Sequence, residues 1–284
     1  MTTLIVGCGY LGRRVGQKLA LRQLSVIGTV RSDPRASELI SLGIDTLLAD
    51  VLNPPSLKQL PRADRLLYCV GFDRSAGIPM RSVYVDGLAN TLRALNGRIP
   101  LLVYASATSV YGQTDGGWVT ENSPTLPNTE SGRICLDAEN LAAQICREQE
   151  ISLIILRYSG LYGPGRIVRK SALENAEPIT GDPEKYLNLI HIYDAASAAL
   201  LALDQPPSSS HRLYLATDDR PLPRREYYEQ AARLLKAPPP RFLSAAPGSP
   251  HEANKRISNH LIKSELHLSL TYPDILTGLP ASLP

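Results

Sequence analysis

The glycines near the start of the chain follow a pattern that could bind the phosphates of a dinucleotide. Gly7, Gly9 and Gly12 form a G-x-G-x-x-G motif within Gly7-Cys-Gly-Tyr-Leu-Gly12. The first glycine allows a tight turn, the second lets backbone approach a pyrophosphate, and the third lets helix and strand pack closely. N–H groups at the start of the next helix would favour an anion. The motif predicts a cofactor site that includes Gly7, Gly9, Tyr10, Leu11 and Gly12.

A short strand and an amphipathic helix must position this turn. The apolar run Leu4–Val6 precedes the motif and is typical of a buried strand. After it, Leu11, Val15 and Leu19 recur every four residues, which indicates a helix with one buried face. The alternative is a glycine-rich turn in another kind of α/β protein. The order of strand, motif and helix favours nucleotide binding over that alternative.

The end of the second predicted strand indicates which dinucleotide binds. The strand covers Leu24 to Val30, and Arg31-Ser32-Asp33 follows it. An acidic residue here would bind the ribose 2′-hydroxyl of NAD, whereas an arginine accommodates the 2′-phosphate of NADP. Asp33 is more simply a turn or helix-capping residue. We therefore assign Arg31 and Ser32 to the cofactor site and favour NADP(H) over NAD(H).

Further apolar segments predict strands that alternate with helices. The strands are expected at 45–49, 65–70, 100–106 and 151–157, and the two long helices near 80–95 and 132–150. Such alternation predicts an α/β fold with a Rossmann-like, doubly wound parallel sheet. In the first long helix, Val83, Leu88, Leu92 and Leu95 form the expected buried side.

Composition excludes several other classes of function. The chain has 284 residues, 43% of them apolar, and a net charge of +3, which does not indicate a nucleic-acid or membrane partner. Its four cysteines form no C-x-x-C motif and accompany no histidine cluster. We expect reduced thiols and no metal site. The sequence shows neither a signal-peptide pattern nor a long apolar segment, so we expect a cytoplasmic protein.

Several other motifs occur along the chain in the order in which one protein family has them. They are Leu47-Leu-Ala-Asp-Val51, Tyr104-Ala-Ser-Ala-Thr-Ser-Val-Tyr-Gly112, Leu156-Arg-Tyr-Ser-Gly-Leu-Tyr-Gly-Pro-Gly-Arg166, Leu189-Ile-His-Ile-Tyr-Asp194, Asn254-Lys-Arg-Ile-Ser-Asn259 and Tyr272-Pro-Asp274. With the glycine motif, they resemble the NAD-dependent epimerase/dehydratase family, also called the extended short-chain dehydrogenase/reductases. The last two stretches resemble an atypical branch of that family.

This resemblance implies a domain organisation and a ligand class. It implies a Rossmann domain at 1–160, to which 189–211 return, and a small discontinuous substrate-side lobe at 161–188 and 212–284. In the family the acidic segment contacts adenine, so we add Asp50, Val51, Val70 and Gly71 to the cofactor site. The resemblance also implies a small polar, sugar-like substrate and a homodimer formed through the two long helices.

The catalytic residues of the family are not found at their usual places. The family uses a Tyr, a Lys four residues later, and a Ser or Thr; here those positions hold Ser131, Cys135 and Ala107. A serine hydroxyl is far less acidic than a phenol, and a neutral thiol cannot replace the charge of lysine. No tyrosine occurs between Tyr111 and Tyr158. We therefore assign no catalytic residue.

Two hypotheses remain open. The chain is either an NADP(H)-dependent enzyme with an unconventional proton donor, such as Ser106, Thr108, a substrate group or water, or a non-catalytic NADP(H)-binding sensor. Other residues have side chains that could take part in catalysis, but we expect Tyr111, Tyr162 and His191 to have packing roles. Cys135 has no nearby histidine in the sequence and is a weak candidate nucleophile. Trp118 covers either a ligand cleft or its own loop.

Overall fold

The structure is a computed structural model that describes residues 1–244 and 253–283. Its strands are β1 (Thr2–Val6), β2 (Ser25–Val30), β3 (Asp45–Leu48), β4 (Arg65–Tyr68), β5 (Leu101–Ala107), β6 (Trp118–Val119), β7 (Ser152–Tyr158), β8 (Gly160–Tyr162), β9 (Ile179–Thr180), β10 (Tyr186–Leu187), β11 (Leu189–His191), β12 (Arg212–Ala216), β13 (Leu222–Pro223), β14 (Phe242–Leu243) and β15 (Arg256–Ile257). Its α-helices are α1 (Gly12–Leu21), α2 (Asp33–Ile40), α3 (Pro54–Leu57), α4 (Gly87–Leu95), α5 (Glu130–Glu148), α6 (Lys170–Glu174), α7 (Ile192–Leu203), α8 (Arg224–Leu235), α9 (His260–Leu266) and α10 (Ile275–Gly278).

The large sheet has the strand order β12-β7-β5-β4-β1-β2-β3 in the part of the chain that is described. β1 pairs in parallel with both β2 and β4, and further parallel pairs join β2 to β3 and β4 to β5. The chain therefore builds outward from β1 in one direction and then resumes at β4 in the other. Open α/β sheets bind ligands at such a reversal point, beyond the carboxyl ends of the strands.

Both faces of this sheet are covered by helices. Leu4 and Val6 of β1 share an apolar cluster with α4 and α5, to which Leu92 and Ala142 belong. Ile5 points to the other face, as alternation along a strand requires, and packs near Gly16 of α1. The predicted α/β fold with a doubly wound sheet is confirmed.

The first long helix differs from the prediction at its beginning. A π-helical turn covers Ser82–Asp86 and leads directly into α4. The wider π turn changes which side chains face inward. Leu88, Leu92 and Leu95 are buried as predicted, but Val83 is only half-buried, so its assignment to the buried side was wrong.

The start of α2 also differs in detail. Ser32 is the capping residue and has an extended backbone, while Asp33 is the first residue of the helix itself. An acidic side chain in the first turn is favourable there, because the helix dipole is positive at this end.

The chain divides into two compact units. Unit 1 comprises Met1–Ala107, Arg133–Arg157 and Ala196–Tyr214, and unit 2 comprises Thr108–Gly132, Tyr158–Ala195 and Leu215–Pro284. Unit 2 has its own apolar core, which includes Tyr162, Leu189, Tyr227, Ile275 and Leu279. The segments 108–132, 158–160 and 189–195 thus group with unit 2, whereas the resemblance placed them in the Rossmann domain. Residues 212–214, which the resemblance placed in the substrate-side lobe, group with unit 1. Among the described residues, no helix is both long and apolar enough to cross a membrane.

The turn at Gly7 gives a first stability prediction. Gly7 has a positive φ of +88°, and a Cβ there would lie 2.6 Å from the backbone N and Cα of Val70. Gly7→Ala should therefore lower the free energy of unfolding by roughly 2 kcal/mol or more. At Gly9 the nearest atom to a Cβ would be 3.9 Å away. Gly9→Ala is the matched control, with an expected change within about 0.5 kcal/mol. Urea unfolding would measure both; equal losses would contradict the steric argument.

Candidate functional site

The turn between β1 and α1 contains two glycines with no room for a side chain, here called closed, and one glycine with free space beside it, here called open. Gly7 abuts Val70, and a Cβ on Gly12 would lie 2.9 Å from Gly7 O and from Ile5 Cγ2. Gly9 N donates to Gly7 O at 2.7 Å, and Gly9 O accepts from Arg13 N at 3.0 Å as the helix begins. Only an oxygen at 3.9 Å lies near the place of a Cβ on Gly9. The backbone of Gly9 is therefore open to close approach by a ligand, as a pyrophosphate requires.

Arginines lie near the end of β2 and the glycine turn. Glu38 holds two of them: Arg13 Nη1 lies 2.7 Å from Oε1, and Arg35 Nη1 lies 2.7 Å from Oε2. Burial alone would raise the pKa of Glu38, but Arg35 and Arg13 bring it below its usual value. Arg31, directly after β2, is exposed and forms no salt bridge within the described ranges. Hydrogen bonds from Ser75, together with the charge of Arg31, lower the pKa of Asp73, so this carboxylate lies in the neighbourhood of Arg31. Since Asp73 does not form a salt bridge with it, the guanidinium can still bind an anionic ligand.

The same arginines act on the cysteine inside the glycine motif. Burial raises the pKa of the Cys8 thiol to about 12, although the charges of Arg35 and Arg13 oppose that rise. Cys8 is therefore a neutral thiol at physiological pH. Tyr10 lies beside it in the turn, with the guanidinium carbon of Arg14 4.3 Å from its ring centroid, and the side chain of Leu11 is buried.

The turns after β3 and β4 contain the remaining predicted cofactor residues. Asp50 Oδ1 accepts from Leu52 N at 2.9 Å, which fixes the turn after β3. Val51 is buried, and its carbonyl accepts from Asn90 Nδ2 at 3.0 Å. Val70 packs against Gly7, whereas a Cβ on Gly71 would meet nothing within 4 Å. The binding roles of these residues, and that of Ser32 at the start of α2, stay predictions.

Three buried side chains form a hydrogen-bonded network in unit 1. Arg157 Nη2 lies 2.6 Å from Glu139 Oε2, and Arg157 Nε lies 3.0 Å from Oε1. Ser106 Oγ lies 2.5 Å from Glu139 Oε1. Because an ionised carboxylate only accepts hydrogen bonds, Ser106 must donate its proton to Glu139. This geometry argues against Ser106 as a proton donor to a ligand.

The aromatic candidates make contacts of the kind that packing residues make. Tyr111 and Tyr162 are fully buried, and Tyr162 Oη donates to Asp274 O at 3.3 Å. Burial, together with nearby carboxylates, raises the pKa of Tyr162, so that phenol holds its proton tightly. The His191 ring is also buried, with its centroid 3.9 Å from that of Tyr272.

Trp118 lies on β6, which pairs in parallel with β15. The side chain is 57% exposed, and the guanidinium of Arg256 lies 5.1 Å from its ring centroid. Tyr186 lies at the same distance from that guanidinium, 5.1 Å. The contact with Arg256 favours the interpretation that Trp118 covers its own part of unit 2.

Comparison with known proteins decides the family. The model of the NAD dependent epimerase/dehydratase family matches residues 3–215. The chain belongs to this family. Protein YeeZ of Escherichia coli K12 is 32% identical over 278 residues, which cover 96% of each chain. A putative NAD-dependent epimerase/dehydratase from Methylobacillus flagellatus has a structure with a TM-score of 0.78 and 33% identity, covering 99% of this chain and 97% of that one.

A more distant structure supports the fold alone. UDP-glucose 4-epimerase of Thermus thermophilus, solved in complex with NAD, has a TM-score of 0.82 and covers 99% of this chain and 97% of its own. Its sequence identity is 17%. The chain therefore has the NAD(P)-dependent oxidoreductase fold of the epimerase/dehydratase family.

The structure locates the three positions at which the family resemblance expects catalytic residues. Ala107 is the last residue of β5. Ser131 is exposed in the first turn of α5, with its Oγ 3.2 Å from Thr129 Oγ1. Cys135, one turn further along α5, is buried. At Ser131 the helix thus offers a solvated hydroxyl.

Two buried ionisable residues of unit 2 escaped the sequence analysis. The first is Asp218, which is 1% exposed; its Oδ2 has no hydrogen-bond partner among the described residues. Burial, assisted by the nearby carboxylates of Asp219, Asp274 and Asp194, raises the pKa of Asp218 to about 8. In the sequence it stands between Thr217 and Asp219, a polar stretch typical of an exposed turn, so no local signal predicts its burial.

The second is Lys255, which is 7% exposed and donates from Nζ to the carbonyl of Tyr111. Burial lowers the pKa of this amine to about 8. Asn188 fixes the backbone from Lys255 to Ile257, because its Nδ2 donates to Lys255 O at 2.9 Å and its Oδ1 accepts from Ile257 N at 2.8 Å. The Asn254–Asn259 stretch carried a family resemblance but gave no indication that Lys255 is buried.

The network around Glu139 gives a second prediction. Glu139→Gln removes the carboxylate that pairs with the buried guanidinium of Arg157, so we expect a loss of about 3–5 kcal/mol in the free energy of unfolding. Ser106→Ala removes one hydrogen bond and keeps the ion pair; its expected loss is about 1 kcal/mol. Urea unfolding of both variants tests the ranking, and a Glu139→Gln protein as stable as Ser106→Ala would disprove it.

Asp218 gives a third prediction, on pH. An unfolded Asp ionises near pH 4, whereas the folded carboxyl, with its pKa of about 8, stays protonated until higher pH. Between these values the unfolded chain loses its proton first, so stability falls as pH rises towards 8.

Asp218→Asn removes this penalty. The difference in melting temperature between the variant and the natural chain should increase by several degrees from pH 5 to pH 8. This corresponds to a gain of roughly 1 kcal/mol or more in the free energy of unfolding. Differential scanning calorimetry across pH measures the trend. Glu174→Gln, which loses an exposed salt bridge to Lys170, is the control and should show no such rise, because Glu174 is not among the carboxylates that raise the pKa of Asp218. A flat difference for Asp218→Asn would refute the argument.

Proposed function

We propose that the chain is an NADP(H)-dependent oxidoreductase that acts on a small polar, sugar-like substrate. The observation that carries this proposal is the turn between β1 and α1, where Gly7 and Gly12 are closed and Gly9 is open. That combination suits the approach of a pyrophosphate to backbone N–H groups at a helix start. The turn also follows β1, beside the reversal point of the sheet.

The choice of NADP(H) depends on the residue after β2. Arg31 stands where an NAD-binding protein would present a carboxylate to the ribose 2′-hydroxyl. It is exposed, and within the described ranges no carboxylate pairs with it, unlike Arg13 and Arg35, which Glu38 holds. A guanidinium can bind a phosphate through two parallel hydrogen bonds.

The remaining predicted residues complete the proposed cofactor site. Asp50 and Val51 would contact the adenine, and Val70 and Gly71 would line the end of β4. When bound, the nicotinamide supplies the hydride chemistry; the chain must supply orientation and the handling of a proton. Since Ser106 donates to Glu139, Thr108, a group of the substrate or water remains as the proton source.

A non-catalytic sensor is the second candidate, favoured by one specific observation. The position expected for the proton-donating tyrosine holds Ser131, an exposed serine whose hydroxyl lies near Thr129. A sensor requires different affinities for NADP⁺ and NADPH, because a ligand that binds two states equally shifts no equilibrium. Oxidation of NADPH with any carbonyl or nucleotide-sugar substrate would decide for the enzyme.

Assembly and domain roles follow from the same proposal. We assign the substrate side to 161–188 and 212–284, and a homodimer surface to α5 and to the helical segment that contains α4. Leu92 of α4 and Ala142 of α5 belong to one apolar cluster, so the two helices present neighbouring outer faces.

Arg31→Ala tests the cofactor assignment. Loss of a charge-assisted contact to the 2′-phosphate should weaken NADPH binding by about 10- to 100-fold, while NADH binding should change by less than about twofold. Titration calorimetry with NADPH, NADP⁺, NADH and NAD⁺ measures both effects. Arg22→Ala, which removes an exposed arginine paired with Asp204 at the far end of α1, is the matched control. Equal losses for NADPH and NADH would refute the role of Arg31.

A further inference from the structure

The side chain of Lys255 is a buried cation for which the described part of the chain provides no counter-ion. Its Nζ donates to Tyr111 O, and across residues 1–244 and 253–283 no carboxylate lies within salt-bridge distance of it. Other lysines of unit 2 are paired at the surface: Lys170 lies 3.6 Å from Glu174, and Lys263 lies 2.8 Å from Asp219. Lys255 thus differs from them in both burial and pairing.

This arrangement costs stability and leaves hydrogen-bonding capacity unused. An ammonium has three donors, and in the described ranges one of them is used, by the carbonyl of Tyr111. Burying a charge without a partner is unfavourable, which is why the pKa of the amine falls to about 8. Near pH 7 most molecules still carry the charge, because the pKa lies above that pH.

The residues around Lys255 do not neutralise it. Arg256, its neighbour, is itself a cation; its Nε donates to Gly116 O at 2.8 Å, and its guanidinium lies 5.1 Å from the ring centroids of both Trp118 and Tyr186. Lys255 directly precedes β15, and the two side chains have different partners: Lys255 contacts the carbonyl of Tyr111, whereas Arg256 contacts that of Gly116. Asn188 contacts the backbone of Lys255 and not its amine.

We propose that Lys255 binds an oxyanion of the substrate, a carboxylate or a phosphate group, through the free donors of its Nζ. That the anion belongs to a substrate rests on the proposed function, whereas the anion site itself involves residues of unit 2 alone. An incoming oxyanion would supply both the missing counter-ion and acceptors for the unused N–H groups. The proposal narrows the substrate class from small and polar to anionic.

A structural role predicts a different behaviour. If Lys255 only anchors the Tyr111 carbonyl, the amine has no reason to respond to small anions. The two roles can therefore be separated by observing the amine itself, without knowing the substrate and without measuring turnover.

The experiment follows the Lys255 amine of the 284-residue chain by NMR, with ¹³Cε-labelled lysine and no dinucleotide present. The signal is assigned by its loss in Lys255→Gln and, should that variant not fold, in Lys255→Arg. In potassium chloride the amine should titrate near its pKa of about 8. In inorganic phosphate or malonate at tens of millimolar and equal ionic strength, the pKa should rise to about 9 or above, a tenfold preference of the anion for the charged amine.

Matched controls separate this site from general salt effects. The Lys170 signal, identified in Lys170→Met, should not move between the salts, because Lys170 is exposed and already paired. A rise with phosphate alone would support a phosphate-bearing substrate, and a rise with malonate alone a carboxylate-bearing one. If no salt moves the pKa of Lys255 more than that of Lys170, the proposal is wrong.

Cofactor titration keeps this result distinct from the proposed function. Lys255→Gln should bind NADPH within about twofold of the natural chain, since Lys255 belongs to unit 2. If the natural chain binds no dinucleotide but its Lys255 responds to anions, the oxidoreductase proposal fails and the anion site stands. If NADPH binds but the pKa of Lys255 does not respond to anions, the anion site is wrong and the oxidoreductase proposal stands.

Discussion

The close approach of Gly7 to the backbone of Val70 is the constraint on which the arrangement of unit 1 around β1 depends. The carboxyl ends of β1 and β4 meet there, with no room for a single methyl group between them. This contact brings the chain out of β1 at a left-handed residue, aims α1 back across the sheet, and leaves Gly9 as the part of the turn that remains open. A side chain at position 7 would push apart the two strands at which the sheet reverses direction.

The two units handle buried charge in opposite ways. In unit 1, Arg157 and Glu139 are buried together and satisfy each other, and Ser106 completes the network. Such a network contributes rigidity at the end of β5 and offers nothing to a ligand. In unit 2, Asp218 and Lys255 are buried without counter-ions in the described ranges, and burial shifts the pKa of each toward its neutral form. Buried ionisable residues with strongly shifted pKa values are found most often at functional sites, so these two residues are the ones at which ligand chemistry is expected.

Local sequence patterns were enough to predict the strand, turn and helix with which unit 1 begins. The glycine motif, the apolar run of β1 and the period of α1 lie within some twenty residues, and each depends on neighbours along the chain. The sheet order then follows from the alternation of strands and helices. The half-buried Val83 shows the limit of periodicity, because a π-helical turn changes the spacing that the pattern assumes.

The buried ionisable residues could not be predicted in this way. Lys255 meets Tyr111, a residue 144 positions away, and Ser106 meets Glu139, 33 positions away. Nothing in the types or spacing of such residues specifies the pairing, since it arises only when distant segments pack. The family resemblance included the stretch around Lys255 and the strand end at Ser106. Similarity of motifs, however, does not predict which side chains are buried or which hydrogen bonds they form.

The thiols of the glycine turn have one more consequence. Cys8 lies inside the turn, and Cys69 donates from Sγ to Gly7 O at 3.2 Å. Burial raises the pKa of both thiols, so neither is a thiolate at the pH of a cell. A turn that would receive phosphate therefore carries no negative charge of its own to repel the ligand. Cys8 and Cys69 also present peroxides with the protonated form of sulfur, which reacts more slowly than a thiolate.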